Sequence, residues 1–198
     1  MTLLWVSNVM LWMLVVVLAL VVLALARQVG LLHERIAPAG ALAPTTGPAV
    51  GEAVAAQNHT DLGGQPVTVG GSAADGRATL LLFTSPTCPV CRELVPVARS
   101  VARRERLRLL FASDGGAAEA HARYAAELAI DRYPYLLSQA LGMRFGVSRL
   151  PFAVLIGADG TLAARGLVNT REHLESLLEA MRTGIPTLQH YLAMEERP

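Results

Sequence analysis

Apolar side chains dominate the start of the chain and then break into short, punctuated runs. No charged residue precedes Arg27, and the 18 residues from Val9 to Ala26, VMLWMLVVVLALVVLALA, carry no polar side chain. Extended back to Leu3, the run is long enough to cross about 30 Å of hydrocarbon as a helix. Trp5 and Trp12 stand near its amino-terminal end, where aromatic rings favour the membrane interface. Ala24-Leu25-Ala26 has the small-x-small form of a signal cleavage site. However, no Arg or Lys precedes the run, and it exceeds the usual h-region of about 7–15 residues. The pattern predicts an uncleaved single-pass transmembrane anchor over residues 1–27.

Residues 28–51 read as a juxtamembrane segment and linker. QVGLLHERI can carry the anchor helix a little further out. APAGALAPTTGPAVG (37–51), with three prolines and three glycines, has little to bury and no regular helix to form. A soluble domain follows over 52–198. QNHTDLGGQPVTVGG predicts two short strands around Gly63-Gly64. ATLLLFTS (78–85) is a continuous apolar run bounded by turn residues, as in a central strand buried on both faces. The next segment predicts a helix to about Arg104, LRLLFAS (107–113) a second buried strand ended by Asp114-Gly115-Gly116, and AAEAHARYAAELA another helix. YPYLLS (133–138) suits a short strand and QALGMRFGV a short helix. PFAVLIG (151–157) and TLAARG (161–166) flank the hairpin signal Ala158-Asp159-Gly160. In the last helix, Leu174, Leu177, Leu178 and Met181 make an apolar stripe. Asn169 with Glu172 suggests a capping box at its start, and Gly184 and Pro186 suggest its stop. The order β-α-β-α, a short βα insert, then β-β-α describes an α/β domain with a mixed sheet and helices on both faces.

Composition narrows the function classes. The 198 residues carry a net charge of +1, which makes no electrostatic case for nucleic acid as a partner. All 17 basic residues are arginine. Two cysteines cannot build the disulfide framework of a small secreted scaffold.

Those two, Cys88 and Cys91, lie in SPTCPVC, where a buried strand passes into a helix. At that position the helix amides and macrodipole stabilise a thiolate on Cys88, making it the exposed nucleophile. Cys91, one turn on, is placed to resolve a mixed disulfide. Pro89 suits the first helical turn, where its missing N–H loses no partner. A metal site needs four ligands, and the histidines at 33, 59, 121, 173 and 190 include no H-x3–5-H pair to complete one. His121 and His173 fall on predicted helices, where solvated or half-buried roles are the commoner ones. Two buried structural thiols at helical spacing are the plain alternative to a redox dithiol. Pro96 lies where it either bends the cysteine helix or ends it. Pro151 opens a predicted strand, which a proline can do without losing a ladder bond, and on base rates its peptide bond is trans.

Cys88, Cys91, Pro96 and Pro151 together resemble the thioredoxin family. That family has a Cys-x-x-Cys at a helix start, a proline five residues after the second cysteine, and a cis-proline before a later strand. The resemblance implies that Pro151 faces the Cys88 sulfur, that the Leu150 backbone pairs with a substrate peptide, and that Cys88 and Cys91 form the redox disulfide. The long stretch between the motif and Pro151 is similar to the insert of the membrane-anchored, TlpA-like branch. The anchor, LLHERIAP, SPTCPVC, the LPFAVLI strand and GLVNTREHLESL together are similar to the MauD family of methylamine-utilisation accessory proteins over nearly the whole chain.

This likeness implies a thiol–disulfide oxidoreductase assisting maturation of the methylamine dehydrogenase β (small) subunit, through disulfide formation or isomerisation, in the periplasm. It implies no metal or organic cofactor, because the two sulfurs carry the chemistry, and it implies a redox partner of unspecified identity. Two departures from the thioredoxin pattern matter. Thr87 stands where thioredoxin has a tryptophan, and Leu82 where it has a buried acid that helps deprotonate the resolving thiol. Both favour a narrow client, or an oxidase or isomerase, over a general TlpA-like reductase. A holdase on the same fold is a further alternative. Arg27 and Arg35 after the span favour a cytoplasmic domain by the positive-inside rule. The client implied by the likeness favours an inner-membrane anchor with a periplasmic domain, and that is the expectation adopted.

Overall fold

The computed structural model describes residues 2–35 and 47–183, with side chains for 4–23 and 47–183. Most of the expected linker, and the expected helix stop at Gly184 and Pro186, lie outside the described residues. The chain divides into two compact units.

The first unit is helix α1 (Thr2–Arg35), which continues past Arg27 without a break. Its segment Leu4–Leu23 is 20 residues long, fully exposed along its length, and apolar enough to cross a membrane.

The second unit holds strands β1 (Gln57–Thr60), β2 (Pro66–Val69) and β3 (Thr79–Phe83), helix α2 (Pro89–Arg104), β4 (Arg108–Ser113), α3 (Ala118–Glu127), β5 (Tyr135–Leu137), α4 (Gln139–Arg144), β6 (Phe152–Ile156), β7 (Leu162–Leu167) and α5 (Arg171–Thr183). β1 and β2 form an antiparallel hairpin, and Gly64 in its turn has φ of 79°, which favours glycine. The other five strands make one mixed sheet in the order β5-β4-β3-β6-β7. β3, β4 and β5 run parallel, and β6 and β7 run antiparallel to their neighbours.

The unbroken apolar run Leu80–Phe83 is explained by its central place. Leu80 and Leu82 face one core with α2, α3 and α5, while Leu81 and Phe83 face a second core with α4 and the hairpin. Each such side chain taken fully out of water contributes about 1.5–3 kcal/mol. Pro96 lies inside α2, which runs on to Arg104 rather than ending there.

Residues 51–71 cross the second core as a strap. At one rim, Leu162 N–H donates to the Glu52 carbonyl (2.8 Å) and Val54 N–H to that of Gly160 (2.9 Å). At the other, Leu62 N–H donates to Tyr135 O (2.9 Å), and Asp61 bridges Leu136.

The cap of α5 is displaced by one residue from the expected box. The Thr170 hydroxyl, not the Asn169 side chain, receives the His173 N–H (3.4 Å), and His173 Nδ1 accepts the Asn169 N–H (3.2 Å). The sequence holds two adjacent residue types able to cap, and the one nearer the helix takes the position.

Candidate active site

The loop Thr84–Thr87 carries the chain from the carboxyl end of β3 to the mouth of α2. Ser85 organises it: its Oγ accepts the Thr87 N–H (3.3 Å) and lies 3.0 Å from Thr87 Oγ1, and its carbonyl accepts the Cys88 N–H (3.1 Å). Cys88 is the N-cap of α2, in extended conformation, and Pro89 opens the helix. The Cys88 Sγ accepts the backbone N–H of Cys91 at 3.2 Å, the place usually taken by a serine or aspartate oxygen. A disulfide joins the two cysteines, with Cα atoms 5.3 Å apart. Cys88 is half-buried, Pro89 and Val90 are exposed, and Cys91 is fully buried. The pair is thus asymmetric, with one cysteine partly exposed and the other fully buried.

Pro151 follows a cis Leu150–Pro151 bond, where base rates alone favour trans. The Phe83–Phe152 pairing puts Pro151 just beyond the last paired residues of β3 and β6, at the sheet end that bears the cysteine loop. The Pro151 carbonyl accepts the Val168 N–H at 3.1 Å. No main-chain hydrogen bond among the described residues uses half-buried Leu150. The fold therefore brings Cys88, Cys91, Leu150 and Pro151 to one end of the sheet. Glu93 is exposed on α2. Leu82 is fully buried, so the strand position in question carries no acid.

A buried polar group behind the motif was not legible in the sequence. Thr84 Oγ1 and Tyr124 OH share a hydrogen bond of 2.7 Å, both residues being buried. Burial pushes the Tyr124 phenol up, against smaller opposing effects from Thr84 and Arg92. The Arg92 guanidinium lies over the Tyr124 ring at 5.2 Å and pairs with Glu127 at 2.7 Å, clipping the first turn of α2 to α3.

His121 is buried, in contrast to the solvated or half-buried role expected for it. Its Nε2 lies 2.8 Å from the Gly115 carbonyl, and its Nδ1 2.8 Å from Tyr135 OH. A carbonyl only accepts, so Nε2 carries a proton toward Gly115. Burial, with Tyr124 adding to it, pushes the Tyr135 phenol strongly up. The sequence signal for this group was slight: polar residues at strand ends and on helix faces are usually solvated.

No family model matches the chain. It is 44% identical over 191 residues, 96% of this chain and 95% of the relative, to the methylamine utilization protein MauD of Paracoccus denitrificans. It is 46% identical over 189 residues to MauD of Methylophilus methylotrophus, covering 96% and 89%. Among solved structures, the thioredoxin domain of a thiol-disulfide oxidoreductase from Bacteroides vulgatus matches with TM-score 0.54 and 18% identity over 67% of this chain and 96% of that one. A secreted Mycobacterium tuberculosis disulfide oxidoreductase matches with TM-score 0.50 and 21% identity, covering 63% and 95%. The fold is thioredoxin-like.

Proposed function

Because the chain belongs to the MauD family of methylamine utilization proteins, we propose that it is a membrane-anchored thiol–disulfide oxidoreductase. Its client in this reading is the methylamine dehydrogenase β (small) subunit, whose disulfides it forms or rearranges in the periplasm, with α1 holding it to the inner membrane. The observation that supports this reading is the disulfide between half-buried Cys88, at the N-cap of α2, and fully buried Cys91.

In the oxidised protein a client thiolate attacks the accessible Cys88 sulfur. The Cys88–Cys91 bond breaks, its electron pair leaves on Cys91, and a mixed disulfide forms through Cys88. A second client thiolate then attacks the client sulfur of that bond and releases Cys88. The client gains one disulfide and the protein becomes the dithiol. In isomerisation, the Cys88 thiolate instead opens a wrong client disulfide, and Cys91 rescues complexes that stall. Leu150 and Pro151 line the approach, with the Leu150 N–H and C=O pairing with the client main chain, as in β-augmentation. A separate redox partner resets the cysteines.

A Cys91→Ser variant of the full chain, expressed in methylamine-grown cells, tests the reading. It should accumulate a mixed disulfide through Cys88 that mass spectrometry identifies as the β subunit. Capture of other proteins without the β subunit would overturn the client assignment.

A further inference from the structure

Disulfide exchange at a buried sulfur needs something to accommodate the charge that appears there, and no carboxylate occupies the Leu82 position. The run of residues along β3 and α2 points to a different group near Cys91. On α2, Cys91 lies one turn before Leu94 and Val95, which enter the core containing Leu80 and Leu82. Moving one turn toward the helix mouth advances about 5.4 Å, and moving one pleat from Leu82 to Thr84 advances about 6.6 Å in the same direction, since helix and strand run oppositely. Thr84 is therefore displaced from Leu82 toward the Cys91 end of that core, on the same face of the sheet. The Arg92 guanidinium stacks over the Tyr124 ring, which puts Tyr124 beside the first turn of α2.

The hydroxyl inventory is informative. Thr84 and Tyr124 have two O–H hydrogens and share one hydrogen bond. Ser113, next to Thr84 by continuation of the Phe83–Ala112 register, is buried with its Oγ unpartnered. The group thus holds more O–H donors than its internal bonds use. A phenol that burial keeps protonated is a donor and not a base.

We propose that the Thr84–Tyr124 hydroxyl pair is a positioning pair for Cys91, donating to its sulfur when that sulfur becomes a thiolate. This rests on the oxidoreductase reading and adds a direction to it. A carboxylate at this level repels the departing Cys91 thiolate, whereas a neutral donor welcomes it, so the Cys88–Cys91 disulfide is a good electron acceptor for client thiols. In the half-reaction the client dithiol loses two electrons, the protein disulfide gains them, and the hydrogen bond forms as the sulfur–sulfur bond breaks. The oxidant is the disulfide that the structure contains.

The full chain in detergent is equilibrated with reduced and oxidised glutathione, and the thiol–disulfide equilibrium constant is read for the parent, Tyr124→Phe and Thr84→Val. At the alkaline end of a pH series, where Cys91 is ionised, loss of a donor to its charged sulfur should shift the constant about tenfold toward the disulfide form. The Cys91 thiol pKa in the reduced variants should rise with it. Constants within about twofold of the parent, with lower unfolding midpoints, would mean an ordinary structural hydrogen bond and overturn the inference alone. A parent that does not exchange with glutathione at all overturns the oxidoreductase reading and this inference together.

Discussion

The backbone amide of Cys91 points at the Cys88 sulfur, 3.2 Å away, so the same turn that carries the buried cysteine caps the accessible one. The amide and the helix mouth persist when the bond between the sulfurs is broken, and they favour negative charge on Cys88. The Cys88 thiol in reduced protein should titrate below the ordinary thiol value, read from thiolate ultraviolet absorbance. A Cys91→Ser variant should keep that low value, because the donor is main chain. In Cys88→Ser, the remaining buried thiol should alkylate far more slowly than Cys88 does in Cys91→Ser. An ordinary pKa for Cys88 would remove the basis for calling it the nucleophile.

The strap and α4 predict a pH effect. His59 lies near Arg144, and its Nε2 is buried without a partner. Burial first, and Arg144 second, push its imidazole below the ordinary value. The folded protein thus resists a proton that the unfolded chain accepts. Above about pH 6.5 the ring is neutral in both states and adds no slope; below it, the unfolded state binds the proton first and stability falls as pH falls. Urea unfolding of the full chain at a series of pH values should show this loss, and His59→Gln should flatten it. An equal slope in both proteins would assign the effect elsewhere.

Gly160 should not tolerate a side chain. Its φ is 86°, and a Cβ there would lie 2.6 Å from the backbone carbon of Gly71. Gly160→Ala should cost about 1–3 kcal/mol through the strained backbone, with more from the collision. Gly76, also at positive φ but with nothing within 4 Å, serves as the control, and Gly76→Ala should cost only the backbone part. Equal losses in the two variants, measured by urea midpoint, would show that the close approach of the strap to the β6–β7 turn carries no weight.

The periplasmic assignment makes a labelling prediction. A thiol reagent that cannot cross the inner membrane should modify Cys88 in reduced, intact spheroplasts. Labelling that requires lysis would put the domain on the cytoplasmic side, as the bare count of Arg27 and Arg35 suggests.

Much of this protein could be read from its residues because the strongest signals were local. The apolar run Leu80–Phe83 is buried on both faces, as its composition required. The Leu174–Leu178 stripe docks its face as its period required. Cys88 and Pro89 announced a helix mouth through their chemistry. What escaped notice depends on contacts distant in sequence. Thr84 meets Tyr124 across 40 positions, and neither residue type marks a buried hydroxyl pair by itself. The burial of His121 likewise follows from Tyr135 and Gly115, which only the folded sheet brings beside it. The displaced cap at Thr170 is a finer case, decided by one residue of helix phase.

The strap has a bearing on biogenesis. Its first residues, near Glu52, bond to Leu162 on the last strand of the sheet. A polypeptide emerging amino end first must hold those residues idle until the final hairpin arrives. Closure is therefore late and concerted, dominated by contacts between distant parts of the chain. A nascent product cut short ahead of Gly160 leaves the strap with one anchorage instead of two, and quality control should meet it as an open, degradable intermediate rather than as a smaller folded domain.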